Sequence, residues 1–116
     1  MPPLVRTMGK SPMPAPPKVI PLEGEIDLHV SPRITSTLNA AVKGKPRDLI
    51  IDMSNVSYID SSGLAALIEA MQKVEKYGGK FALAALQQNV KPIFEIARLD
   101  QVFRIYPDVG SAVSRK

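Results

Sequence analysis

Residues 48–76 read DLIIDMSNVSYIDSSGLAALIEAMQKVEK, and this stretch decides the fold. Its first part, Asp48–Met53, contains three contiguous aliphatic residues, which is typical of a strand buried on both faces of a sheet. A short link then leads to Asp60, where a helix is predicted to begin. The apolar residues of that helix recur at helical spacing and form one stripe, made of Leu64, Leu67, Ile68, Met71 and Val74.

The sequence on both sides repeats this strand-and-helix unit. Further strands are predicted at Lys18–Leu22, Lys80–Ala85 and Val102–Ile105. A helix is expected to begin at Ser31-Pro32, because serine can cap a helix and proline suits its first position. Asn89 is a second candidate cap, for a helix that follows the third strand, and Asp108–Val113 is a candidate final turn of helix.

This alternation predicts one α/β domain. The expected sheet is mixed but mostly parallel, with four to five strands, right-handed crossovers and helices packed on it. The domain is assigned to residues 18–116. Residues 1–17 are assigned to a proline-rich, partly extended N-terminal segment, since seven of the 11 prolines fall in residues 1–21. Leu4–Met8 lies before the main proline run and is a candidate edge strand.

Composition excludes several kinds of chemistry. The chain has no cysteine, so disulfides, thiol catalysis and cysteine-based zinc sites are excluded. Its one histidine, His29, cannot form a catalytic histidine pair within one chain. No apolar run approaches the roughly 20 residues of a transmembrane helix, and the N-terminus lacks the apolar core of a signal peptide. We therefore expect a cytoplasmic protein that does not engage a membrane.

The positive charge lies mainly in the tails. The net charge is +4, and residues 1–21 contribute three bases (Arg6, Lys10 and Lys18) and no acid. Residues 22–116 contain 12 bases and 11 acids, and two of those bases are the last two residues of the chain. Because the folded part is nearly neutral, no direct nucleic-acid partner is expected.

The turn Asp60-Ser61-Ser62-Gly63 is the candidate functional site. The first N–H groups of a helix lack intrahelical partners and carry partial positive charge, so they can tolerate a phosphate on Ser61. Gly63 is expected to leave one side of the first turn bare, where a partner could approach the backbone. The same four residues are also ordinary N-cap and turn chemistry, which has no regulatory role.

Four segments in register resemble the STAS domains of bacterial anti-sigma-factor antagonists. They are LEGEID at 22–27, IIDMS at 50–54, YIDSSGL at 58–64 and GGK at 78–80. The resemblance covers roughly residues 18–108, and its most specific part is the DSSGL sequence that follows the end of a strand. It implies a binding module with no catalytic residues, metal or cofactor of its own.

The resemblance also implies partners and site residues. Unphosphorylated antagonists of this family sequester an anti-sigma factor that is a serine kinase, and so they regulate sigma-dependent transcription. That kinase phosphorylates the antagonist, and a PP2C-type phosphatase restores it. Carried over by motif, Ser61 is the phosphoacceptor, and Asp27, Asp60, Ser62 and Gly63 belong to the partner surface. The expected state is a monomer or weak homodimer.

Other interpretations of the same residues remain open. STAS domains also serve as adaptors or scaffolds in stress and lipid-transport complexes, where Ser61 would only be part of the helix start. Asp52 and Asp60 could instead be a carboxylate pair for acid–base or metal chemistry, although no third ligand is evident. An aspartyl-phosphate receiver shares the alternating architecture, but Glu23 and Glu25 are a poor match for its acidic pair.

Overall fold

Four strands and four α-helices alternate along residues 16–114, which are the residues that the computed structural model describes. A short 3₁₀ helix at Leu99–Gln101 precedes the last strand. The elements are, in chain order, β1 (Lys18–Ile26), α1 (Ser31–Lys43), β2 (Asp48–Ile59), α2 (Ser61–Lys76), β3 (Lys80–Ala84), α3 (Lys91–Ile96), β4 (Arg104–Tyr106) and α4 (Val109–Ser114). The predicted alternation is confirmed.

The strands form one parallel sheet in the order β1-β2-β3-β4. Alternate residues of β2 face opposite sides of this sheet. Leu49 and Ile51 belong to the main core, which includes side chains of α1, α2 and α3. Ile50 belongs to a smaller cluster with Ala112 of α4. The predicted α/β fold with a mostly parallel sheet is thus confirmed, and all four strands within residues 16–114 are parallel, with no antiparallel pair among them. The candidate edge strand Leu4–Met8 lies outside the described residues.

The strand β2 is longer than the sequence indicated. The residues expected to form a link to Asp60 continue the strand, because Asn55–Ile59 pair with Glu23–Ile26 of β1. The strand β1 is extended for the same reason and ends at Ile26. At the other edge, β4 begins two residues later than predicted, since the N–H groups of Val102 and Phe103 donate to the carbonyl of Leu99.

Two predicted helix caps are wrong. Ser31 is the first residue of α1, and the N-cap is Val30, which makes no side-chain capping bond. Asn89 does not cap α3 either, because its side-chain amide donates to the carbonyl of Ser57, 32 residues earlier in the chain. In both cases a polar side chain suited to capping lies one residue away from the position that capping requires.

Replacement of Leu67 by alanine tests the core that supports α2. The Leu67 side chain is fully buried within the main core, so Leu67→Ala should lower the free energy of unfolding by about 2–5 kcal/mol. The matched control is Leu28→Ala, because 70% of Leu28 is exposed, and it should cost less than about 0.5 kcal/mol. Urea unfolding of both variants measures the difference, and equal losses would contradict this description of the core.

Candidate functional site

The turn at residues 60–63 lies at the carboxyl edge of the sheet, where β2 ends and α2 begins. The Asp60 N–H donates to the carbonyl of Ile26 at 3.0 Å, which ties the turn to the end of β1. The Asp60 backbone is extended, and its Oδ1 atom accepts from the N–H groups of Ser62 (2.9 Å) and Gly63 (3.2 Å). Asp60 is therefore the N-cap of α2, at the position where the sequence predicts this helix to begin.

The two serines of the turn have different environments. The Ser62 hydroxyl donates to Asp60 Oδ1 at 2.6 Å, and the residue is half-buried. Ser61 is exposed, and within residues 16–114 its hydroxyl makes no protein hydrogen bond. A reagent or an enzyme from solution can thus approach the Ser61 oxygen directly, whereas reaction at Ser62 first requires the loss of its bond to Asp60.

The first turn of α2 offers fewer free donors than the sequence indicated. The N–H groups of Ser62 and Gly63 donate to the Asp60 carboxylate, and that of Leu64 donates to the Asp60 carbonyl at 3.0 Å. A phosphate on Ser61 would lie beside a carboxylate that already uses these donors. The expectation that free N–H groups at the helix start help the fold to tolerate such a phosphate is corrected for these three donors, because Asp60 already engages them.

The environment of Asp60 favours its ionised carboxylate. The hydrogen bond from the Ser62 hydroxyl is the largest effect and lowers the pKa of Asp60; burial opposes it, and the backbone N–H groups of Gly63 and Ser62 lower the pKa further. At neutral pH the exposed hydroxyl of Ser61 therefore lies next to a fixed negative charge.

Gly63 packs closely against the interior of the protein. A Cβ atom at this position would lie 2.7 Å from Ile26 Cγ2 and 2.7 Å from Ile59 Cγ1. The glycine is buried, and its lack of a side chain lets α2 begin directly against the ends of β1 and β2. The idea that Gly63 opens the outer side of the turn is corrected by this packing.

The turn between β1 and α1 adjoins the same site. Asp27 is half-buried, and its Oδ1 atom accepts from the N–H groups of His29 (2.9 Å) and Val30 (3.3 Å). The Asp60 N–H donates to the carbonyl of Ile26, the residue that precedes Asp27. The fold thus brings Asp27 and its neighbours together with residues 60–63, although these segments are more than 30 residues apart in the sequence.

The carboxylate pair considered from the sequence does not form a metal site. Asp52 lies in β2, where its Oδ1 atom accepts from the Ser54 N–H at 3.0 Å. Within the described part of the chain, no cluster of three or more histidine, cysteine or acidic residues is arranged to hold a metal ion. His29 lies exposed in the turn before α1.

None of the helices between residues 16 and 114 is long and apolar enough to span a membrane.

Comparison with known proteins extends these observations. The sequence matches the family described as STAS domain over residues 12–112. An anti-sigma-B factor antagonist of Bacillus subtilis (strain 168) is 31% identical over 84 residues, which cover 72% of this chain and 76% of the relative.

Solved structures resemble the fold as well. A crystal structure of an anti-sigma factor antagonist from Mycobacterium paratuberculosis superimposes with a TM-score of 0.76 and 30% identity, covering 83% of this chain and 81% of that one. The phosphorylated form of the Bacillus cell fate determinant SpoIIAA has a TM-score of 0.64 and 24% identity, with coverages of 84% and 87%. At that lower identity, the second likeness shows the fold alone.

A substitution at Gly63 tests the close packing of the turn. Gly63→Ala places a methyl group within 2.7 Å of two isoleucine side chains, and we expect it to lower the free energy of unfolding by about 1–3 kcal/mol. Gly44→Ala is the matched control, because a Cβ there meets only the Ala41 carbonyl at 3.6 Å. Chemical denaturation of the two variants should separate them, and an unchanged stability for Gly63→Ala would refute the inward packing.

The pKa of Asp60 predicts a pH dependence of stability. Because the folded protein lowers this pKa below 3.8, the ionised cap stabilises the fold above about pH 4, and this stabilisation is lost as the pH falls through the folded-state pKa. Asp60→Asn keeps a capping oxygen but does not titrate. The difference in melting temperature between the wild type and Asp60→Asn should be constant from about pH 5 to 7. Below about pH 4 the melting temperature of the wild type should fall relative to that of Asp60→Asn, because only the wild type loses an ionised cap.

The comparison between wild type and Asp60→Asn also controls for Asp108, whose pKa is lowered by hydrogen bonds from Ser111. Asp108 is present in both proteins, so its titration cancels. A difference in melting temperature that stays constant down to pH 2 would contradict the assignment to Asp60.

Proposed function

The chain belongs to the STAS domain family, and on that basis we propose that it is an anti-sigma-factor antagonist controlled by phosphorylation of Ser61. In this proposal the protein is a binding module and not an enzyme. Its unphosphorylated form sequesters an anti-sigma factor that is also a serine kinase, in the cytoplasm, and so regulates sigma-dependent transcription. The similarity to named antagonists supports the class of partner.

The contrast between the two serines is the observation that carries the proposal. Ser61 projects an unengaged hydroxyl from the start of a 16-residue helix, while Asp60 holds the hydroxyl of Ser62. A kinase needs an acceptor oxygen that it can reach without unfolding the substrate. Ser61 meets this requirement, and Ser62 does not until its hydrogen bond breaks.

Phosphorylation would act on binding through charge. Transfer of the γ-phosphoryl group of ATP to the Ser61 oxygen yields ADP and releases the hydroxyl proton, and the phosphate adds about −1.5 to −2 charges at neutral pH. ATP and its metal ion would be bound by the kinase. The new charge would lie beside ionised Asp60 at the partner surface, so repulsion and added bulk weaken the complex. A PP2C-type phosphatase would reverse the step.

Release of the kinase after phosphorylation does not require a large change in the fold. The Asp60 cap and the packing of Gly63 lie on the inner side of the turn, whereas the Ser61 side chain lies on the outer side. A group added to Ser61 therefore meets solvent or the partner before it meets the core. Phosphorylation would therefore change the surface and not the fold. Asp27, Asp60 and the start of α2 form the region that contacts the partner.

Incubation with a cognate kinase anti-sigma factor and ATP tests the proposal. Mass spectrometry should find one phosphate on Ser61 in the wild type, none in Ser61→Ala, and a phosphate that is still on Ser61 in Ser62→Ala. Ser61→Asp should bind the kinase at least about tenfold more weakly, with a melting temperature within a few degrees of wild type, since exposed substitutions usually change stability by under about 0.5 kcal/mol.

Two results would count against this function. Stable binding of the kinase without modification of Ser61 would favour a constitutive STAS adaptor. Unfolding of Ser61→Asp would show that the serine has a structural role in the turn.

A further inference from the structure

In the described part of the chain, the last seven residues of β2 have a neighbouring strand on one side only. β3 ends at Ala84, which pairs with Asp52, whereas β2 continues to Ile59. Among residues 16–114, β1 is therefore the sole strand beside residues 53–59, here called the β2 extension. This extension leads directly into Asp60 and the exposed Ser61, so its position determines where the turn lies.

The pairing of the β2 extension with β1 is irregular at two places. Between the pairs Pro21–Asp52 and Glu23–Asn55, β2 has two residues opposite the single Leu22. Between the next pairs, Gly24–Val56 and Glu25–Tyr58, Ser57 has no counterpart in β1. Each irregularity is a β-bulge, which interrupts the ladder and bends the strand locally. The extension is thus the part of β2 that its own sheet holds least firmly.

Two side-chain amides from a distant loop bind the β2 extension at these bulges. Gln87 Nε2 donates to the carbonyl of Ser54 at 2.8 Å, and Asn89 Nδ2 donates to the carbonyl of Ser57 at 2.8 Å. Both donors lie in the loop between β3 and α3. Ala85 turns the chain into this loop with a left-handed φ of 64°, a conformation that residues other than glycine adopt at a cost.

We infer that Gln87 and Asn89 are positioning residues for the turn that carries Ser61. They replace, with side chains, the backbone bonds that a longer β3 would supply to the β2 extension. The inference rests on the proposed function, because it assigns the two amides a role in presenting Ser61 to its kinase. Neither residue needs to touch the phosphoryl group, since both act through the carbonyls of β2.

The two amides are expected to affect kinase binding through the fraction of molecules that hold Ser61 in the binding geometry. If the β2 extension moves when an amide is removed, only a fraction of the molecules hold Ser61 in the binding geometry at any moment. The apparent affinity for the kinase falls by that fraction, while transfer within the bound complex is little changed. Loss of these bonds should therefore raise KM much more than it lowers kcat.

Isosteric substitutions test the two bonds. Gln87→Glu and Asn89→Asp replace the donating amide nitrogen by a carboxylate oxygen that repels the carbonyl. Gln88→Glu makes the same charge change at the exposed neighbouring position and serves as the matched control. Asn89→Gln keeps an amide donor and should restore part of the wild-type behaviour.

Amide hydrogen exchange, measured by NMR without any partner, gives the first readout. Residues 53–60 should exchange about two- to tenfold faster in Gln87→Glu and Asn89→Asp, whereas the amides of β3 and the middle of α2 should be unchanged. Gln88→Glu should match wild type. Unchanged exchange in residues 53–60, or faster exchange throughout the domain, would overturn the inference.

Phosphorylation kinetics give the second readout. We expect KM for the two variants to rise about two- to tenfold, with kcat within about twofold of wild type. An unchanged KM in variants whose β2 extension exchanges faster would overturn the positioning role and leave the proposed function intact. If the kinase does not phosphorylate the wild-type protein, the proposed function fails, and with it the role in presenting Ser61, while hydrogen exchange still decides whether the amides hold the β2 extension.

Discussion

Asp60 joins three elements that the rest of the domain depends on. Its N–H group donates to the end of β1, its backbone directly follows β2, and its Oδ1 atom accepts from the first turn of α2. Because α2 contributes a largely buried stripe to the core, the direction in which this helix leaves the sheet affects most of the apolar packing. A local capping bond thus determines a tertiary arrangement.

The same carboxylate separates the structural side of the turn from its exposed side. It engages the hydroxyl of Ser62 and the N–H groups that follow, and it leaves the hydroxyl of Ser61 in solvent. Gly63 completes the inner side by packing against Ile26 and Ile59. A chemical change at Ser61 can therefore alter the charge of the surface while the cap and the packing remain in place, which is the physical requirement for the proposed switch.

A turn of this kind also needs a stable support, and the sheet alone supplies only part of it. The β2 extension lies beyond the end of β3 and pairs irregularly with β1. The amides of Gln87 and Asn89 satisfy two of its carbonyl groups. Both bonds are exposed to solvent, and their donors come from a loop whose first residue, Ala85, has a left-handed backbone conformation.

The sequence by itself determined the features that depend on near neighbours in the chain. Apolar spacing predicted the order of strands and helices, the stripe of α2 and the buried character of Leu49–Ile51, because both periods follow from local backbone geometry. Capping chemistry placed Asp60 at the start of α2. The contrast between Ser61 and Ser62 was not predicted, since both are hydroxyls in the same motif and only the orientation of the Asp60 carboxylate distinguishes them.

Only the tertiary structure decided the features that depend on distant residues. The length of β2 follows from its pairing with Glu23–Ile26, and the inward direction of Gly63 follows from the positions of Ile26 and Ile59. Asn89 resembled a helix cap, yet its partner is a carbonyl 32 residues away. Local capping preference depends only on near neighbours in the chain, whereas this bond requires that the fold bring Asn89 beside β2, which the sequence pattern around Asn89 does not show.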